Sequence, residues 1–176
     1  MDELSLQSPT PAPGLPQRAQ EPLVLDFVTV YRAEMPTLTR FVMKHGASPQ
    51  EAADAAQEAF AQAYRSWDKI HHPSRWLRKV ATRLYFRHRF CEDLPGDLPD
   101  SQMLVNFELS TEERLVYEAL YELPLRQRQV MAWHYDGYSA QEIAEELGIG
   151  EAAVRQNLCR ARARLQEIRC TPRGGA

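Results

Sequence analysis

Cysteine is scarce in this chain of 176 residues: Cys91, Cys159 and Cys170 are odd in number and show no CxxC or Cys/His ligand spacing. A disulfide framework and a zinc site are therefore not expected, and a reducing, cytoplasmic setting fits. Long apolar runs are missing too. None approaches the roughly 20 residues of a membrane span, so no direct membrane insertion is expected. The opening MDELSLQSPTPAPG lacks the basic and apolar regions of a secretory signal. No Gly-rich phosphate loop, nucleophile–base arrangement or HxxxH-type pair is present. His45, His71, His72, His88 and His134 are scattered. The reading is a non-enzyme with no catalytic residues, no metal and no cofactor.

A strong positive charge is also lacking. The net charge is −3, which at face value argues against a nucleic-acid binder. Mapped along the chain, the charge tells another story. Residues 65–89 carry eight Lys/Arg against Asp68 alone, whereas residues 90–124 carry nine acids against Arg114 alone. A basic segment followed directly by an acidic one suggests an anion-binding surface with an acidic connector beside it.

Residues 1–22 hold five of the twelve prolines and little that is apolar, so this stretch reads as a disordered tail. From Leu23 onward helical period dominates. Phe27, Val28, Tyr31, Met35, Leu38, Phe41 and Val42 recur at three- and four-residue spacing, with Pro36 implying a kink or a new first turn. Ser48-Pro49-Gln50-Glu51 is a helix start with a capping box. Ala53, Ala56, Phe60, Ala63, Tyr64 and Trp67 form the stripe that follows. After a break at Ile70–His72, the next helix is expected to bury Trp76, Leu77, Val80, Ala81 and Leu84. Residues 91–109 lose the period and read as a linker.

Ser110-Thr111-Glu112-Glu113 and Ser139-Ala140-Gln141-Glu142 are two further capping boxes. The second opens a short helix to Leu147, a Gly148-Ile149-Gly150 turn and a last helix from about Glu151 to Ile168. No alternating strand pattern appears. The fold class read is all-α: two small helical domains, 23–90 and 110–169, on a flexible acidic linker at 91–109, with a tail at 170–176.

The short helix, turn and last helix have the pattern of a helix-turn-helix. Val154, Leu158, Ala161, Leu165 and Ile168 form its buried stripe. The opposite face carries Ala152, Gln156, Cys159, Arg160 and Ala163, flanked by Arg155, Arg162 and Arg164. Such a face suits a major groove. In the basic helix, Arg75, Lys79, Arg83 and Arg87 follow at i,i+4. Like charges so spaced repel by a few tenths of a kcal/mol per pair, a strain that a polyanion relieves.

These residues resemble the extracytoplasmic-function (ECF) sigma factors of the sigma-70 class. FVTVYRAEMPTLTRFVMKHGASPQEAADAAQEAFAQAYRSW and PSRWLRKVATRL resemble sigma region 2. LPLRQRQVMAWHYDGYSAQEIAEELGIGEAAVRQNLCRARARL resembles region 4. The resemblance implies a transcription initiation factor with no chemistry of its own. Asp54, Gln57, Glu58 and Phe60 would dock on core RNA polymerase. Lys69, His71, Arg75, Trp76, Arg78, Lys79 and Arg83 would capture the melted −10 element. Arg155, Gln156, Cys159, Arg160 and Arg162 would read the duplex −35 element. It also implies a monomer and an anti-sigma partner, often membrane-anchored. Arg83 and Arg87 stand where relatives often carry Asn and Asp. The competing reading is a helix-turn-helix regulator with an N-terminal dimerisation or effector domain.

Overall fold

A computed structural model describes residues 26–91 and 109–170. The proline-rich tail, most of the acidic connector and residues 171–176 lie outside the described residues, as do the expectations placed there. Among the described residues there is no strand. The order is α1 (Phe27–Met43), α2 (Pro49–Tyr64), a 3-10 turn (Trp67–Lys69), α3 (Pro73–Cys91), α4 (Thr111–Tyr121), α5 (Leu125–Tyr135), α6 (Ala140–Leu147) and α7 (Glu151–Cys170).

Local chemistry sets these boundaries. Asp26 caps α1 by accepting from the Thr29 backbone N–H at 3.1 Å. All three expected boxes are formed, with Ser48, Ser110 and Ser139 each exchanging hydrogen bonds with the Glu three residues on. Those bonds favour the ionised acid, so the backbone N–H of Ser110 and of Ser139 holds the Glu113 and Glu142 carboxyls below their usual range. Gly148 ends α6 in the left-handed region at φ 63°, which turns the chain into α7. α1 runs through Pro36 as one helix, so the proline does not open a new first turn.

The N-terminal unit packs α1, α2 and α3 around Leu38, Phe41, Ala56, Phe60, Leu77 and Leu84. Alanine fills most of the inner face of α2, which lets the three helices approach closely. Tyr64 departs from the expected stripe: it is 70 % exposed, and its ring meets Phe27 edge-on at 5.1 Å. Trp76 is half-buried against the same core. In the C-terminal unit α5, α6 and α7 enclose Val130, Trp133, Ile143, Val154 and Leu158.

The two units share one core. Phe41 of α1 meets Trp133 of α5 edge-on at 5.0 Å, and both are buried. Burial of side chains this size contributes about 2–3 kcal/mol each. Polar contacts ring this seam. The Arg128 guanidinium donates to the carbonyls of His45, Tyr121 and Leu123, tying α5 to the end of α1. Gly46, at φ 101°, passes so near that a Cβ there would lie 2.5 Å from the Arg128 guanidinium. The linker expectation placed the two units on a flexible joint. In the structure their apolar faces are joined directly.

Candidate nucleic-acid interface

α7 presents its cationic face to solvent. Val154, Leu158 and Ala161 face inward, while Arg155, Gln156, Cys159, Arg160 and Arg162 are all exposed. Arg155 donates to Glu151 one turn back, and Arg162 donates to His134 Nε2 at 2.8 Å. Gln156 and Arg160 are the open centre of the face. The capped α6 and the Gly148 turn hold that face rigidly against α5, as direct readout of base edges requires.

α3 differs. Its Arg75, Lys79, Arg83 and Arg87 stack on one face as expected, but three of the four are paired. Arg75 bonds Glu145 at 2.9 Å and also Glu146. Lys79 lies 3.2 Å from Glu146. Both acids belong to the last turn of α6, where the helix dipole disfavours negative charge, so the cations of α3 stabilise them. Arg87 instead bonds Glu58 of α2 at 3.0 Å. Arg83 is exposed.

Arg78 is drawn inward and is only 6 % exposed. Its Nε donates to Asp136 at 2.7 Å and its Nη1 to Glu34 at 3.1 Å. Lys44 also bonds Asp136, so one buried carboxylate offsets a cation just past α1 and another on α3. Ser74 donates to Glu34 at 2.8 Å and fixes the start of α3. In this arrangement Arg78 holds the seam rather than offering itself to a ligand. Lys69 and His71 are exposed on the turn before α3.

The expected polymerase-docking set divides. Asp54, Gln57 and Glu58 are half-buried on the outer side of α2. Asp54 accepts from Gln50 at 3.2 Å, and Glu58 holds Gln62, Arg87 and His88. Phe60 corrects the expectation. It is 2 % exposed and packs against Phe27 and Tyr31, so it lies beneath this surface and supports it. Among the described residues no group of His, Cys, Asp and Glu is placed to hold a metal ion, and no helix is long and apolar enough to cross a membrane.

Sequence reasoning missed Asp136, Glu145, Glu146, Glu34 and Lys44. Glu145 and Glu146 did carry a signal, since acids in the last turn of a helix call for cationic partners. Asp136 carried none.

A three-helix unit with a basic last helix, followed by a helix-turn-helix unit, is the arrangement of a bacterial sigma factor. The chain matches the family description "Sigma-70 region 2" over residues 30–93 and "Sigma-70, region 4" over residues 113–165. It is 32% identical over 152 residues to the RNA polymerase sigma-E factor of Streptomyces coelicolor, covering 82% of this chain and 86% of that one. The ECF RNA polymerase sigma factor SigM of Mycobacterium tuberculosis is 29% identical over 149 residues, covering 81% and 76%. Among solved structures, the sigma factor RpoE of Bartonella quintana, crystallised with the anti-sigma factor NepR, superposes with a TM-score of 0.64. Identity there is 21%, with 84% of this chain and 99% of that chain covered. CnrH in complex with the cytosolic domain of CnrY gives a TM-score of 0.58 at 22% identity, covering 81% and 86%. The chain belongs to the sigma-70 family of RNA polymerase sigma factors, in its extracytoplasmic-function branch. It is an alternative sigma factor that initiates transcription, and the dimeric regulator reading is not favoured.

Proposed function

We propose that the outer face of α7, with Arg155, Gln156, Cys159 and Arg160, reads the −35 duplex. In the same reading Lys69, His71, Arg75, Trp76, Lys79 and Arg83 capture the unpaired −10 strand, with Asp54, Gln57 and Glu58 on core polymerase in the cytoplasm. The observation that carries this reading is the exposed polar centre of α7, flanked by arginines and held by a capped helix-turn-helix. The pairing of Arg75 and Lys79 with Glu145 and Glu146 supports a further step. The −10 surface is engaged internally in the free protein, and polymerase frees it by parting the two units. A protein that binds only the open strand shifts the duplex towards opening.

An anti-sigma protein that keeps the units together is the partner class this predicts, in line with the complexes in which RpoE and CnrH were solved. Run-off transcription with purified core polymerase on genomic fragments tests the assignment. Lys79→Ala and Arg160→Ala should each lower promoter-specific initiation, whereas full activity in both would refute the two DNA surfaces.

A further inference from the structure

Most cations on the seam are matched by acids, but one corner is not. Where α3 ends, the seam opens into a cavity of about 250 Å³ whose lining includes His45, Phe86, Arg89, Phe90, Tyr121 and Arg128. Arg89 donates to the Tyr85 hydroxyl at 2.7 Å and the Tyr121 hydroxyl at 3.4 Å. Arg128 bonds only backbone carbonyls and lies over the Tyr121 ring at 4.6 Å. Its Nε is buried without a hydrogen-bond partner, as is His45 Nε2. Burial lowers the tendency of Arg128 to hold its proton, and the nearby Arg89 adds to this. Among the described residues neither arginine is within ion-pair distance of a carboxylate. The corner is thus aromatic and cationic, with Glu122 acting on Arg128 only through space and outside ion-pair distance.

The chain itself carries what would balance it. Phe90, on the cavity rim, is 70 % exposed, and α3 ends one residue later. Residues 92–108 then contain Glu92, Asp93, Asp97, Asp100 and Glu108 and no Lys, Arg or His. They lead back to α4, whose final residue Tyr121 is the opposite wall. Leu94 and Leu98 are interleaved with the first four acids. A segment tethered at the rim meets the cavity at an effective concentration in the millimolar range. Weak ion pairs beside an apolar surface suffice at such a concentration.

We propose that residues 92–100 of the acidic connector dock in this cavity, with their carboxylates against Arg89 and Arg128 and their leucines on the aromatic walls. The connector then acts as a third component of the seam, bridging α3 and α4, which share no ion pair among the described residues.

Amide hydrogen exchange on the full chain tests this. In the native protein, residues 92–100 should exchange about tenfold more slowly than the same nine residues as a free peptide. Arg89→Glu should abolish that protection, and so should Glu92→Arg combined with Asp93→Arg. Joining all three changes should restore it, an outcome that a simple loss of Arg89 packing does not produce. Peptide-like exchange in the native chain, or no recovery on the charge swap, overturns the proposal. Protection that grows with protein concentration also overturns it, because the occupant is then a second copy.

Discussion

α3 and α7 are both basic helices, yet they meet their surroundings in opposite ways. α7 directs its cations outward: Arg155 pairs with Glu151 and Arg164 with Glu167 within the helix, and Arg162 meets His134 of α5. α3 has Arg75 and Lys79 covered by acids of α6, and Arg78 buried between the units. The contrast separates two routes by which a helix tolerates repelling charge: solvation on one, and opposite charge from another part of the chain on the other. On the proposed assignment, the −35 reader is ready-made, while the −10 reader is released by a change in how the units sit.

The strongest way to break that asymmetry is Asp136→Ala. It leaves Lys44 and Arg78 on the seam without their shared carboxylate, and loss of one member of a buried pair costs about 3–5 kcal/mol. Denaturant titration should show the fall, and binding of a single-stranded −10 oligonucleotide should rise.

Acid attacks the same seam. His45 is buried between the units, and burial pushes its imidazole down to about 4; its ring Nδ1 pairs with the Phe41 carbonyl at 3.0 Å. The unfolded chain takes up a proton near pH 6.5 while the folded chain does not until about pH 4. Stability therefore falls as pH drops through that window, by up to about 3 kcal/mol. The denaturation midpoint should fall between pH 7.5 and 5, and His45→Leu should flatten that slope relative to the native chain.

Gly46→Ala comes next. A left-handed backbone and a Cβ against Arg128 together cost on the order of 2 kcal/mol, measurable as a lower melting temperature. Arg160→Ala should cost about 1–3 kcal/mol in binding −35 duplex by holoenzyme, with unchanged unfolding. The smallest effect on stability belongs to Glu145→Gln with Glu146→Gln, within about 1 kcal/mol because Arg75 and Lys79 are partly solvated. Even so, that pair should raise single-strand affinity of the free protein about threefold to tenfold. Unchanged affinity would show that these acids do not mask the −10 surface.

Local order was legible in the sequence wherever it depends on near neighbours. The three serine boxes, the end of α6 at Leu147 and the outward set on α7 follow from spacing alone, because capping and helical period act over three or four residues. Phe60 and Tyr64 show the limit. Both sit on one apparent stripe, but Phe60 turns into the three-helix core and Tyr64 lies at its edge, which depends on where α1 ends its contact. The seam was beyond reach altogether. Phe41 and Trp133 each fit a separate core, and nothing local says that the two cores are one. Asp136 reads as an ordinary helix-end acid until Lys44 and Arg78 arrive from residues far away in the chain.

The meeting of Phe41 and Trp133 has an optical consequence. The chain has three tryptophans, and Trp133 is the one enclosed between the units. Parting them admits water to that indole, so its emission moves to the red with no label added. Engagement of α7 that leaves the units together leaves that indole buried.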